Sequence, residues 1–346
     1  VKKQSLKEAA AVAVQHAKDR EFERRIAKAE EQAKSYKAKY EHACQALDEY
    51  EQRFAAMESL DHSIPEIEMK RLKGSGESTA ILACSDWHIA EVVDPSTVNN
   101  LNEFNVEIGR KRAVAMFQRA AMMIDVARGL SPVKEMVVWL GGDFISGALH
   151  DDQKENDEIS PTESIIVCED MIVNGIRFLK REAKMSRIVV VTSNGNHGRT
   201  TPKPRASTSH STSFEQLMYW HLAATVKDAG VSWKVENSYH NFLPIYNRAY
   251  RFHHGDCVKY LGGSGGLGIP LQKAIGDWDK TIPAYHDVCG HFHQTSFARK
   301  YSVNGSLVGY NSYAMRNKCA FEEPSQNLLI TSKKRGNTLA MRVFAD

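Results

Sequence analysis

The sequence predicts an α/β domain preceded by a long helical arm, and three observations carry the prediction. A heptad seam runs unbroken through much of the first sixty residues. A joint containing Pro and Gly follows it. Beyond the joint, five short apolar runs of strand length each pass into a loop holding Asp, Asn or His.

The arm comes first. From Phe22 the apolar and small residues recur at Ile26, Ala29, Ala33, Tyr36, Tyr40, Ala43, Leu47, Tyr50, Phe54 and Met57, in alternating steps of four and three. That period predicts a coiled-coil helix over residues 1–62, whose seam spans roughly 50 Å at 1.5 Å per residue. Lys, Arg and Glu crowd the flanking positions, as on a solvated helix face. Residues 2–20 look helical but leave the seam, so they are expected to fold back or fray. Self-association is the first expectation for the arm, and packing on another protein the second. Ser63-Ile64-Pro65 breaks the period and Lys73-Gly74-Ser75-Gly76 reads as a flexible joint, which places a linker at 63–78 and a domain at 79–346.

At 346 residues, 42% hydrophobic and 25% charged, the chain can bury a sizeable core. Residues 1–72 carry 14 basic and 14 acidic side chains, so the small surplus of +3 lies in the remainder, and no global basic field marks a nucleic-acid binder. The six cysteines are scattered without a C-x-x-C pair and read as reduced thiols. With no apolar run long enough to cross a bilayer and no charged-then-apolar leader, a soluble cytoplasmic protein away from membranes is the expectation.

The domain's chemistry is concentrated in its loops. The strand Thr79–Cys84 runs into Ser85-Asp86-Trp87-His88, and in extended geometry Asp86 and His88 would point to one side and grip one cation. Met136–Leu140 ends in Gly141-Gly142-Asp143, where the carboxylate could cap a helix or bridge two metals. Ile188–Val191 leads into Ser193-Asn194-Gly195-Asn196-His197-Gly198, offering a neutral amide oxygen and a proton donor. After Tyr250-Arg251-Phe252 come His253-His254-Gly255-Asp256, of which His254, beside the glycine, is taken to face the cleft. The fifth loop, Cys289-Gly290-His291-Phe292-His293, repeats the same-side spacing with two imidazoles. Each motif alone is a common turn or a satisfied core histidine. Five in succession are not.

The ordered set D-x-H, G-G-D, G-N-H, H-G and G-H-x-H, spanning Asp86 to His293, resembles the calcineurin-like metallophosphoesterase superfamily. The resemblance implies two mixed β-sheets packed as a sandwich with flanking helices, and a two-metal centre at the strands' C-terminal edges. It implies that Asp86, His88, Asp143 and His293 hold one ion, and that Asp143, Asn196, His254 and His291 hold the second. Mixed oxygen and nitrogen ligands make Mn²⁺ the first expectation, with Fe²⁺, Zn²⁺ or Mg²⁺ as alternatives. A two-metal-activated hydroxide would attack phosphorus while His197 protonates the leaving oxygen. One departure stands out. The superfamily usually follows G-N-H with an acid that orients the histidine, whereas this chain has Gly198 and Arg199. Another carboxylate would then orient His197, or the leaving group would need less help.

Substrate signals are coarser. Between Arg177 and Arg205 there are eight basic residues and one acidic one, ending in Arg199, Lys203 and Arg205 beside the G-N-H loop. These three, with His150, are the candidate substrate contacts. Against this, Asp151–Glu158 is acidic. Gly262–Gly268 lacks a P-loop ending and reads as a lid or linker, Trp278 and Tyr285 as core aromatics or base-stacking platforms. Tyr301–Val303, Ser306–Tyr310 and Thr338–Val343 are expected to be strands completing the second sheet. The chain looks most like the DNA-repair exonuclease branch and its bacterial or phage relatives, so a DNA nuclease leads. A phosphomonoesterase or small-nucleotide phosphodiesterase is the alternative, and a coiled-coil assembly protein with a residual metal site the third reading.

Overall fold

The computed structural model describes residues 6–58, 76–147, 149, 155–260 and 266–346. The chain divides into two compact units, Val1–Lys70 and Arg71–Asp346. The first contains one continuous helix, α1 (Leu6–Glu58). Residues 6–20, expected to fold back or fray, continue that helix, because Ala, Lys, Glu and Gln favour it with or without a seam. No helix among the described residues is long and apolar enough to cross a membrane. The expected linker at 63–78 falls mostly outside the described residues.

The second unit is an α/β sandwich. Strands β1 (Ser78–Cys84), β2 (Val133–Leu140), β3 (Arg187–Thr192) and β4 (Val231–Lys234) run parallel, and β10 (Ser325–Ser332) and β11 (Gly336–Phe344) complete a six-stranded sheet in the order β11-β10-β1-β2-β3-β4. A second sheet takes β5 (Asn241–Ile245), β6 (Arg248–Phe252), β7 (His286–Cys289), β9 (Tyr301–Val303) and β8 (Ser296–Phe297), with β6, β7 and β9 parallel. Both sheets are mixed.

Side-chain alternation along the central strands builds the layers. Ala80, Leu82, Met136, Val138, Ile188 and Val190 face helices α2 (Val106–Arg128), α3 (Pro161–Arg181) and α4 (Phe214–Thr225). Ile81, Ala83, Val137, Trp139 and Val191 point the other way, into a core shared with Tyr250, Phe252 and Val288 of the second sheet. Helix α5 (Gly268–Trp278) covers that sheet's outer face through Leu271 and Ile275. Burial on both faces explains why β1 to β3 are nearly continuous apolar runs, each large side chain contributing about 1.5–3 kcal/mol. Local signals set the helix starts. Asn105 accepts from the Ile108 N–H, and Ser160 and Glu163 form a reciprocal capping box with Pro161 in the first turn.

The chain's end differs from expectation in two places. Thr338–Val343 lies within β11, which pairs with β10 in the first sheet rather than the second. Ser306–Tyr310 is not a strand. Leu307 and Val308 are buried, but their carbonyls accept from the Arg112 guanidinium at 3.0 and 2.8 Å, so side chains satisfy what a ladder would have.

One ion-pair network joins β6 and β7 of the second sheet to the end of α5. Arg251 on β6 is 0% exposed and grips Asp287, its register partner on β7, at 2.6 and 3.1 Å, with a further bond to Asp279 at 3.0 Å. The guanidinium stands 5.2 Å from the Trp278 ring, which places that tryptophan in the packing of α5. Arg251→Ala takes the guanidinium from the buried Asp287 carboxylate, which keeps His253 at 3.4 Å, and is expected to destabilise the protein by about 3–5 kcal/mol. Urea unfolding measures it, through a lower midpoint at unchanged slope.

Candidate metal centre

The loops after β1 and β2 are zipped together by main chain. Asp86 N–H donates to Gly142 O at 2.9 Å, His88 N–H to Asp143 O at 3.0 Å and Ile89 N–H to Phe144 O at 2.8 Å. The parallel ladder thus continues beyond the strand ends, but with a different backbone. Asp86 (φ 57°), His88 (φ 49°) and Asp143 (φ 53°) are left-handed, as are His291 (φ 72°) and His293 (φ 52°). The expectation that D-x-H and H-x-H share a side because they are extended is therefore corrected. Left-handed turns bring the side chains together. For residues other than glycine such backbone costs on the order of 1–3 kcal/mol each and persists only where the surroundings enforce it.

The side chains converge in three overlapping groups that could hold metal ions, each with its ligand atoms within 4.8 Å of one another: Asp86, His88 and His293; His88, Asp143 and His197; Asp143, His254 and His291. Asn196 joins the third group, its Oδ1 3.2 Å from His254 Nε2. Asp143 lies between. Its Oδ2 is 3.0 Å from His254 Nε2 and its Oδ1 accepts from the His197 N–H at 2.7 Å. The approach is so close that a Cβ on Gly195 would stand 2.0 Å from Asp143 Oδ1. Asp86, 0% exposed, accepts from the His291 N–H at 3.0 Å, so the first loop also anchors the fifth.

Ring orientation follows from backbone carbonyls. His254 Nδ1–H donates to Gly141 O at 2.8 Å, which turns Nε2 toward Asp143 and Asn196. His253 turns the other way, toward Asp287 at 3.4 Å. His197 Nδ1–H donates to Ser146 O at 2.7 Å. That carbonyl, on the β2 loop, orients the ring by Nδ1. Burial and the neighbouring imidazoles of His197 and His293 hold His88 well below the usual imidazole range, and burial beside His254 pushes His291 down to about 4. Both are held neutral, the form that binds metal. Burial opposes a proton on His254, yet the Asp143 carboxylate beside it raises that group well above its ordinary value. A positive charge is favoured where these donors meet. Carboxylate oxygens, an amide oxygen and imidazole nitrogens around it are a donor set that fits divalent transition metals.

Arg199, Lys203 and Arg205 are not members of these three groups. The Arg199 guanidinium donates to the carbonyls of Asn196 and, at 3.2 Å, Thr201, so it braces the G-N-H loop from behind. Lys203 and Arg205 are exposed on the segment that follows. His150 lies outside the described residues, as do residues 151–154 of the Asp151–Glu158 run and most of the glycine-rich segment at 262–268. Trp278 and Tyr285 pack in the hydrophobic clusters.

Three contributors escape motif reading. Glu215 on α4, 0% exposed, accepts from the Gly195 N–H and the Phe144 N–H, both at 2.7 Å, bracketing the β2 and β3 loops. A Cβ on Gly198 would stand 2.6 Å from its Cγ, which accounts for glycine after G-N-H. Burial, and then Asp143's charge, push Glu215 up to about 8. In the sequence it is one more acid in a helix's first turn. Gln326 on β10 accepts from Ser85 N–H at 2.9 Å and Asn304 Nδ2 at 3.1 Å, seating the first loop. Glu91 is held by Asn311 Nδ2 at 2.7 Å, with Oε2 3.9 Å from the buried His88 Nδ1. Glu215→Ala strips two buried N–H groups of their acceptor at about 1–3 kcal/mol each. Unfolding should show a loss of about 2–6 kcal/mol, and calorimetric titration with Mn²⁺ a weaker affinity.

No family description matches the chain and no curated protein does. Among solved structures, a hypothetical protein from Pyrococcus horikoshii is similar at TM-score 0.35 and 10% identity, covering 78% of this chain and 89% of its own. Vps29 from Entamoeba histolytica, solved with Zn²⁺, scores 0.31 at 12% identity and covers 77% and 99%. A predicted phosphoesterase from Streptococcus pneumoniae scores 0.28 at 9% identity and covers 77% and 97%. Likeness at this level assigns neither family nor function.

Proposed function

We propose that the chain is a phosphoesterase of the calcineurin-like kind, using two divalent ions, with DNA as its leading substrate. The observation that carries this reading is a chain of overlapping candidate metal groups, in which Asp143 links His254 and His291 to His88, and His88 in turn belongs with Asp86 and His293, on five left-handed loop residues. Asp86, His88 and His293 would hold one ion and Asn196, His254 and His291 the other, Asp143 serving both. When bound, such a pair supplies Lewis-acid activation of water and neutralises charge on phosphoryl oxygens. Mn²⁺ remains the first expectation.

The chain's own residues supply the rest. Ser146 holds His197 by Nδ1–H, so Nε2 is the atom that hands a proton to the departing oxygen. Arg199 keeps the Asn196 carbonyl in place, which fixes the amide's direction. Exposed Lys203 and Arg205, on the segment after the G-N-H loop, favour a polymer with flanking phosphates over a compact ester.

End-labelled single- and double-stranded DNA incubated with Mn²⁺ tests the reading. Wild type should cut both or one of them, Asp143→Asn should lose cleavage together with Mn²⁺ affinity, and His197→Ala should keep the affinity while kcat falls by about 10²–10⁴. Intact DNA beside a hydrolysed small phosphoester would replace the nuclease with a compact-substrate enzyme. Absence of hydrolysis of any ester, with every metal, would remove the phosphoesterase reading.

A further inference from the structure

The arm presents an apolar stripe that no other described residue of its own unit covers. Along α1, Phe22, Tyr36, Tyr40, Leu47, Tyr50 and Phe54 are between 60% and 72% exposed. Helices in proteins owe most of their stability to packing of such a face, so a 53-residue helix with this stripe calls for a partner. The charges beside the stripe say which.

With Ile26, Ala33, Tyr40, Leu47 and Phe54 at the a positions, the g positions are Lys18, Arg25, Gln32, Lys39, Ala46 and Arg53, four basic and none acidic. The e positions are Glu23, Glu30, Lys37, Cys44 and Glu51, three acidic and one basic. In a parallel, in-register pair each g residue faces the partner's e residue five positions on. That sets Lys18 against the partner's Glu23 and Arg25 against the partner's Glu30. Gln32, Lys39 and Ala46 face the partner's Lys37, Cys44 and Glu51, so no like charges meet. An antiparallel pair that keeps the seam closed, with Ala29 opposite the partner's Leu47, brings g to g and e to e. It opposes Arg25 to the partner's Arg53, Lys39 to the partner's Lys39 and Glu23 to the partner's Glu51. Every charged meeting there is repulsive.

We propose that α1 pairs with α1 of a second copy of this chain as a parallel, in-register coiled coil. Both copies of the second unit then leave the same end of the coil, which makes the assembly bivalent toward any polymer that both units meet. The pairing is independent of the metal site and is read without any hydrolysis assay.

Sedimentation equilibrium of the full chain should give a dimer, twice 38.8 kDa. Arg25→Glu sets acid against acid in the parallel pair and should raise the dissociation constant by about tenfold or more. Adding Glu30→Lys should restore it, while circular dichroism shows an unchanged helix content in both variants. Ala29→Cys, placed with Cys44→Ser, Cys257→Ser and Cys319→Ser, should cross-link to its own copy on mild oxidation. A monomer or trimer overturns the proposal, as does Arg25→Glu without effect. Tighter association of Arg25→Glu, or failure of the Ala29→Cys cross-link, would mean antiparallel pairing and overturns it equally.

Discussion

Asp143 is the residue on which the second unit's arrangement turns. Its carbonyl accepts the His88 N–H, its Oδ1 accepts the His197 N–H, and its Oδ2 lies beside His254. One residue at the end of one central strand therefore ties together loops from β1, through its main chain, and from β3 and β6, through its carboxylate. Gly142 and Gly195 let the loops close on it, since a Cβ on Gly142 would stand 2.1 Å from Gly195 N. A buried carboxylate in such a place is stable only when its lone pairs are met, and here backbone N–H and imidazole groups meet them.

The left-handed residues at the loop tips are stabilised by what surrounds them. The β1 and β2 loops are hydrogen-bonded to each other, Glu215 braces β2 to β3 from the helix side, and Gln326 braces the β1 loop from β10. Behind these contacts stand two apolar layers, one under the helices and one between the sheets. A rigid scaffold of this kind holds donor atoms near one another before any ligand arrives, so ordering them costs little when it does. The arm follows an opposite logic. Among the described residues its apolar stripe lies exposed, and the stability of such a face would come from packing on a partner.

Much of this was legible in the chain. Apolar runs marked β1, β2 and β3, because strands buried on both faces carry mostly apolar residues, whereas β6 and β7 are shorter and carry the paired Arg251 and Asp287. The polar loops at their ends stood out for the same reason. Less legible were residues whose local role is ordinary. Glu215 looks like the first-turn acid that Glu163 is in α3, yet it reaches 20 residues back to Gly195. Ser306–Tyr310 alternates like a strand, but its carbonyls bond to Arg112 and Asn102 from another element, a pairing no local pattern encodes. Arg199 sits beside the G-N-H loop as a substrate-facing cation would, and its guanidinium turns inward to backbone.

By itself the sequence determined the division into a heptad arm and an α/β unit, the order of the strands that carry the loops, and the residue types at their tips. Those properties are local, set by periodicity and by apolar runs a few residues long. Only the tertiary structure decided how the tips meet. The left-handed turn at Asp86 and His88, the Ser146 carbonyl on His197 and the joining of β11 to the first sheet depend on contacts between segments far apart in the chain. Packing selects such contacts from many that local preference would allow equally.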